Sequence, residues 1–173
     1  SRLSIPASAK VIGRIGGFRE FSDPAAKKGI LRIIDSNPST FAIFVNTEEF
    51  VDHPRIFFLP EFARTEVREF YEACDVLING RRMGESFGYS IVEPLMLDKP
   101  VIAPHWIRNP IMDKNHVDIL RGHDLLYTSS QHLVSIYERT VGKSTRKGYY
   151  SEIVERFSPE SAVLKLKSIL TRI

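Results

Sequence analysis

The sequence contains very little cysteine and almost no net charge. Cys74 is the single cysteine among 173 residues, which excludes an internal disulfide and fits a reducing compartment. Twenty-four basic residues stand against 21 acidic ones, and the resulting charge of +3 is compatible with a small anionic ligand but too weak to argue for nucleic acid. We therefore expect a cytoplasmic protein with no nucleic-acid partner.

Long apolar runs and the motifs of several ligand classes are missing as well. No segment approaches the roughly 20 apolar residues that span a bilayer, so no transmembrane segment is predicted. The five histidines show no metal-ligand spacing, and we expect neither a metal nor a cofactor. The first apolar run is followed neither by Gly-x-Gly-x-x-Gly nor by a Gly-Lys-Ser/Thr ending, which disfavours a nicotinamide- or flavin-binding domain and a P-loop.

Short runs rich in Val, Ile and Phe are present and alternate with segments of helical spacing. Such alternation predicts an α/β fold, because neighbouring parallel strands need a crossover connection that is usually a helix. We expect a Rossmann-like, doubly wound parallel sheet of about six strands with helices on both faces. The predicted strands are 10–15, 41–46, 55–59, 75–79, 100–103 and 124–127, and the predicted helices are 24–35, 65–74, 89–97 and 131–140. After residue 103 the sequence is irregular, with prolines at 104 and 110, and predicts a loop followed by a short helix.

Two further segments complete the predicted organisation. The polar stretch 47–54 is too short for a full crossover helix, so a helix there is a single turn or absent. The tail, F-S-P-E-S-A-V-L-K-L-K, combines a serine cap, a proline at the first helical position and an amphipathic run, and predicts a closing helix at about 158–172. No repeat or linker is visible, so residues 1–173 are expected to form a single domain.

The loop after the first predicted strand combines glycines with basic residues. Ligands of open α/β sheets bind outside the carboxyl ends of the strands, so this loop is a candidate site. Its basic residues are Arg14, Arg19, Lys27 and Lys28. Small residues let a phosphate approach the backbone, and cations complete its charge. A glycine turn with solvated bases remains the alternative interpretation.

The stretch G-E-S-F-G-Y-S-I-V-E, residues 84–93, holds two glutamates around a predicted helix start. The amides of 87–89 would lie at the positive end of the helix dipole, which favours an anion. Glu85 and Glu93 flank this point, and carboxylates are good acceptors for paired hydroxyls, so they suggest two polyols. The alternative is a surface glutamate and a first-turn glutamate. Pro94 suits only a first turn, so the helix starts later or kinks there.

Taken together, these segments resemble the C-terminal, donor-binding half of retaining GT-B glycosyltransferases, the glycosyl transferases group 1 family. The most specific part is the glutamate pair, Glu85 and Glu93, with seven residues between them around Phe-Gly, followed by K-P-V-I-A at 99–103. The resemblance also covers V-I-G-R-I, K-K-G, the run R-I-F-F-L-P-E-F-A-R-T-E-V-R-E-F-Y-E-A-C-D-V-L-I, and F-S-P-E-S.

The resemblance implies roles for these residues. Glu85 is the implied catalytic residue and holds hydroxyls of the transferred sugar, and Glu93 binds the ribose of the nucleotide sugar. Arg14 and Lys28 neutralise the diphosphate as it leaves. The other implied donor-binding residues are Ser86, Phe87, Gly88 and Tyr89.

The resemblance leaves some of these contacts open. The loop after Arg14 looks longer than the common pattern, so Arg19 or Lys27 is an alternative phosphate ligand. Arg82, in the basic loop before the first glutamate, is either a further phosphate contact or a solvated residue. The segment 59–62 matches the place where the backbone meets the nucleobase.

The implied activity is metal-independent, retaining transfer of a sugar from a nucleotide-diphosphate sugar to a glycan or other acceptor. A GT-B enzyme needs two Rossmann-like domains, so we expect this chain to bind the donor and to require a missing N-terminal domain for the acceptor. The opening S-R-L-S-I-P, without methionine or signal-peptide pattern, fits a piece of a longer protein. The alternative is a non-catalytic GT-B-like nucleotide-binding or scaffold module.

Overall fold

The computed structural model describes residues 3–85, 88–105, 114–141, 148–158, 160, 161, 163 and 164. Within them, six strands form one parallel sheet in the order β3-β2-β1-β4-β5-β6, which confirms the predicted fold class. Each predicted strand is present. The strands are β1 (Lys10–Ile15), β2 (Thr40–Val45), β3 (Ile56–Leu59), β4 (Val76–Ile78), β5 (Val101–Pro104) and β6 (Leu126–Tyr127).

The helices follow the strands as predicted, with one addition. The described helices are α1 (Pro24–Ser36), α2 (Val67–Ala73), preceded by a 3-10 turn at Arg64–Glu66, α3 (Tyr89–Leu95), α4 (Asn115–Leu120), α5 (Ser130–Val141) and α6 (Ser151–Arg156). Helix α6 was not predicted from the sequence, and the predicted closing helix lies largely outside the described residues. Residues 47–54 contain no helix, and none of the described helices is long and apolar enough to cross a membrane.

The core lies on both faces of the sheet because the central strands are apolar on both sides. Phe44, Ile78 and Ile102 are almost completely buried. The apolar stripe of α1, which includes Ile30 and Ile33, is buried, and α1 packs against α5 and β2. Residues at this spacing line one side of a helix, so the polar side of α1 stays in solvent.

The start of α1 is tied to distant parts of the chain. The Asp23 side chain accepts a hydrogen bond from Ala25 N at 3.1 Å and another from the hydroxyl of Tyr127 in β6. Burial and the Asp23 carboxylate raise the pKa of Tyr127. The amides of Ser22 and Asp23 donate to Gly80 O, at 3.1 and 2.9 Å, so the loop after β1 is bound to the loop after β4.

The strand order changes direction between β1 and β4, which are neighbours in the sheet. Connections on either side of such a point run to opposite faces and leave a crevice at the carboxyl ends of the strands. Close packing at this point requires Gly13, because a Cβ there would lie 2.4 Å from Sγ of Cys74, the residue after α2, and 2.6 Å from Leu77 Cδ1 in β4. This glycine therefore allows β1 to pack closely against β4 and the end of α2.

Gly13→Ala should lower the free energy of unfolding by about 1–3 kcal/mol, because the added methyl group overpacks a filled core. Chemical denaturation measures the loss. The nearest obstacle is the Cys74 sulfur, so the double variant Gly13→Ala, Cys74→Ala should be more stable than the sum of the two single losses predicts. Strictly additive losses would contradict this origin of the strain.

Candidate functional site

A cleft opens at the carboxyl ends of β1 and β4, where the strand order changes direction. It is bounded by the loop after β1, the loop after β4 and the start of α3. Both arginines and both carboxylates in its wall come from these two loops and their strand ends. The lining residues are Arg14, Ile15, Gly16, Glu20, Tyr71, Leu77, Ile78, Asn79, Gly80, Arg81, Glu85, Ser90 and Val101.

Glu85 is fixed inside this cleft and is only 8% exposed. Its Oε1 accepts hydrogen bonds from Asn79 Nδ2 at 2.8 Å and from Ser90 Oγ at 3.4 Å, and its Oε2 lies 3.3 Å from Arg81 Nη1. Its backbone also pairs with Lys114 in an isolated parallel bridge. The interpretation of Glu85 as a surface residue is therefore wrong, because the carboxylate is buried and held in one orientation.

The helix after Glu85 begins where the sequence analysis placed it, at Tyr89. Gly88 caps the helix with φ +83°, and a Cβ there would also lie 3.0 Å from Ile119 Cδ1. Pro94 lies near the end of α3, so it does not delay the helix start. Ser86 and Phe87 lie outside the described residues, and the diphosphate contacts of 86–89 stay predictions.

Glu93 reaches the same end of the sheet but has different neighbours. Its carboxylate pairs with Arg64, whose side chain is 79% exposed, and accepts a hydrogen bond from the hydroxyl of Tyr71 at 3.3 Å. Burial and the neighbouring Glu93 raise the pKa of Tyr71. Tyr71 itself lines the cleft, so Glu93 lies behind its hydroxyl rather than in the wall.

Arg14 lines the cleft, but most of its donors already have partners. Nη1 donates to Asn46 O at 3.0 Å, to Val45 O at 3.4 Å and to the hydroxyl of Thr47, and Nη2 donates to Gly17 O at 3.0 Å. Burial lowers the pKa of Arg14 to about 10, although nearby carboxylates act in the opposite direction. The guanidinium joins the ends of β1 and β2, and its predicted phosphate contact stays a prediction.

The other predicted cations are not in the cleft wall. Lys28 is exposed on α1 and is not one of the lining residues. Lys27 Nζ lies 5.1 Å from the centre of the Phe50 ring, and exposed Arg19 lies 4.0 Å from Glu48. The structure therefore brings Glu85 and Arg14 into one cleft and leaves the two lysines outside it.

Four polar residues of the cleft, Glu20, Asn79, Arg81 and Ser90, were not predicted from the sequence as site residues. Asn79 and Ser90 hold the Glu85 carboxylate, and Arg81 Nη2 lies 3.1 Å from Glu20 Oε1. Asn79 directly follows the last apolar residue of β4, so its position at a strand end was the available signal. Glu20 and Arg81 belong to different loops, far apart in the sequence, and only the fold brings them into contact.

Similarity to known proteins appears in structure rather than in sequence. No family model and no curated protein matches the chain. Among solved structures, HepE from Anabaena, described in complex with UDP and glucose, matches with TM-score 0.73 and 18% identity over 99% of this chain and 50% of that one. Sucrose-phosphate synthase from Thermosynechococcus elongatus matches with TM-score 0.69 and 15% identity over 99% and 47%. The C-terminal domain of the glycosyl transferase group 1 family protein LpcC from Francisella tularensis matches with TM-score 0.62 and 18% identity over 86% and 85%.

The chain has the fold of a GT-B C-terminal domain. It spans about half the length of HepE and of sucrose-phosphate synthase, but most of the LpcC domain structure. The GT-B resemblance expected from the glutamate pair is thereby confirmed for the fold.

His116 lies beside this cleft, in the first turn of α4, and is 1% exposed. Its Nε2 lies 3.0 Å from Pro104 O, at the end of β5. Burial lowers the pKa of the imidazole, because the charged form is poorly solvated there. The folded protein therefore holds His116 in its neutral form at pH values where the unfolded chain begins to protonate it.

Stability should consequently fall as the pH drops below about 6.5, by at most about 1.4 kcal/mol per pH unit from this group, since the unfolded state takes up the proton first. His116→Gln should flatten this part of the profile. The measurement is the free energy of unfolding from pH 7.5 to 5, with His132→Gln as the control for losing one histidine. Identical slopes for wild type and His116→Gln would contradict the assignment.

Proposed function

We propose that the chain is the donor-binding half of a glycosyltransferase that moves a sugar from a nucleoside diphosphate sugar to an acceptor. The observation that carries this proposal is the buried Glu85 carboxylate, which is held by Asn79, Ser90 and Arg81 at the change in strand order. Ligands of doubly wound sheets bind at this point. A carboxylate held so firmly is a preorganised acceptor for the hydroxyl groups of a sugar.

The charges of the cleft suit the leaving group. A departing diphosphate gains negative charge, and cations positioned beside it stabilise that charge. Arg14 and Arg81 line the cleft with Glu85. We propose that this charge, together with residues 86–89 and Lys28, serves the diphosphate without a metal ion, and that transfer retains the anomeric configuration.

The rest of the donor would extend from the cleft toward neighbouring loops. Glu93 would accept the paired ribose hydroxyls after exchanging its exposed partner Arg64 for them, with Tyr71 keeping the carboxylate oriented. The base would lie against the segment 59–62, which begins with the last residue of β3 at the same end of the sheet. HepE is described with UDP and with UDP-glucose, so a uridine nucleotide is the first donor to test.

The acceptor site is proposed to lie in a second domain. This chain matches only half of HepE and of sucrose-phosphate synthase, so a partner half is expected to supply the opposite wall of the cleft. Alone, the chain should bind the donor and transfer little sugar. A non-catalytic scaffold of the same fold is the second candidate, but it gives no reason to bury and orient the Glu85 carboxylate.

A thermal-shift panel of UDP, GDP, ADP, dTDP and their sugars tests the proposal. A bound nucleotide at 100 times its dissociation constant should stabilise the chain by about 2.7 kcal/mol. The panel is measured once with EDTA and once with Mg²⁺, and equal shifts are expected because the cleft provides its own cations. The absence of any shift across the panel would reject donor binding by this chain.

Substituting each glutamate separates the two polyol sites. Glu93→Gln should weaken the nucleoside diphosphate and its sugar alike, by about tenfold, because a bidentate charged acceptor is lost. Glu85→Gln should lower the affinity for the sugar nucleotide relative to that for the diphosphate alone. Calorimetric titration measures both ratios.

Glu72→Gln is the matched control for these titrations, since Glu72 pairs with Arg68 on the surface of α2. It should change neither affinity. If Glu85→Gln reduces the affinities for the diphosphate and the sugar nucleotide equally, the proposed division between ribose and sugar is wrong.

A further inference from the structure

Arg81 lies across the cleft and connects its two sides. Its Nη1 is 3.3 Å from Glu85 Oε2, and its Nη2 is 3.1 Å from Glu20 Oε1 in the loop after β1. Its backbone amide donates to Asn79 Oδ1 at 3.0 Å, which fixes the base of the side chain. The planar guanidinium of Arg81 therefore lies in the cleft, between the carboxylates of Glu85 and Glu20.

The two carboxylates differ in how much they depend on Arg81. Glu85 is buried and keeps Asn79 and Ser90 as donors when Arg81 is otherwise engaged. The Glu20 side chain is 40% exposed, and besides its ion pair with Arg81 it accepts a hydrogen bond from Gly17 N at 3.1 Å. A partly exposed ion pair contributes little because water readily replaces the partner. Glu20 is thus the partner that Arg81 can exchange.

The charges of the cleft favour this exchange when an anion enters. Its charged lining residues, Arg14, Arg81, Glu20 and Glu85, sum to zero. A diphosphate added beside both carboxylates would leave the cleft strongly negative, whereas release of Glu20 into solvent would remove one of the repelling charges.

The geometry of the arginines points to Arg81 rather than Arg14 as the group that changes partner. Arg14 already donates to carbonyls at the ends of β1 and β2. Arg81 Nε, by contrast, is buried and has no hydrogen-bond acceptor among the described residues. An incoming phosphate would supply acceptors for both Nη2 and Nε, and bidentate pairing with phosphate is the geometry that guanidinium groups favour.

We propose that Arg81 is a diphosphate-binding residue of the donor site and that Glu20 occupies its guanidinium fork until the diphosphate displaces it. This inference rests on the proposed function, since it assigns a residue to the diphosphate of the same donor. It also gives the Glu20 side chain a ligand-dependent position, because Glu20 would leave Arg81 when an anion replaces it.

Calorimetric titration of the 173-residue chain with UDP, GDP, ADP and dTDP, and with the matching nucleosides, tests the assignment. Arg81→Gln should weaken the bound diphosphate by about tenfold or more, and leave the affinity for the nucleoside unchanged. Glu20→Gln should bind the diphosphate about two- to fivefold more tightly, because a competing carboxylate is gone. In the double variant that gain should vanish.

The exposed Arg121→Gln, which loses one positive charge and a surface ion pair with Asp118, is the matched control and should not change either affinity. A wild-type chain that binds none of the four diphosphates rejects the proposed function itself. If wild type binds and Arg81→Gln binds the diphosphate equally well, only the Arg81 assignment is overturned.

A purely positioning role for Arg81 would give a different result. Arg81→Gln would then weaken the sugar nucleotide through Glu85 and spare the diphosphate, which would also overturn the assignment. If Arg81→Gln does not fold, Glu20→Gln still decides the question. Unchanged or weaker diphosphate binding by that variant contradicts a competing Glu20.

Discussion

The candidate site depends on two hydrogen bonds to one carbonyl group, that of Gly80. Both amides come from the residues immediately before α1, Ser22 and Asp23. The connections after β1 and β4 run to opposite faces, so sheet hydrogen bonding alone does not hold these loops together. A side chain at Gly80 is excluded, since a Cβ there would lie 2.5 Å from the Phe21 ring. The contact thus sets the width of the cleft, and Tyr127 stabilises it from β6 through its bond to Asp23.

The two arginines of the cleft differ in the partners that hold their guanidinium groups. Arg14 is 6% exposed and bonded to backbone carbonyls, so its charge is a permanent part of the wall. Arg81 is held by carboxylates, one of which is partly solvated. A fixed cation next to the proposed exchangeable one would attract an anion and would still have its charge balanced by Glu20 when no anion is bound. Glu85 remains oriented in both conditions because uncharged donors also hold it.

The fold was predictable from the sequence, whereas the contacts of the site were only partly so. Strands such as β2 and β4 are short, apolar on both faces and separated by amphipathic helices, and this pattern reports local structure directly. The glutamate spacing located Glu85 and the helix start at Tyr89. The sequence did not indicate that Arg14 donates its hydrogen bonds to backbone carbonyl groups, because these acceptors lie at the end of β2, about 30 residues away. The bridge from Arg81 to Glu20 is equally non-local.

The two edges of the sheet are short. The strand at one edge, β3, has four residues and is followed directly by Pro60, which has no amide hydrogen to donate, and the strand at the other edge, β6, has two residues. Unpaired edges are the places where a sheet recruits additional strands, and short edges that end in proline resist this. The proposed second domain would therefore join this one through loop and side-chain contacts, with each sheet remaining separate, so that the two could move apart without breaking backbone pairing.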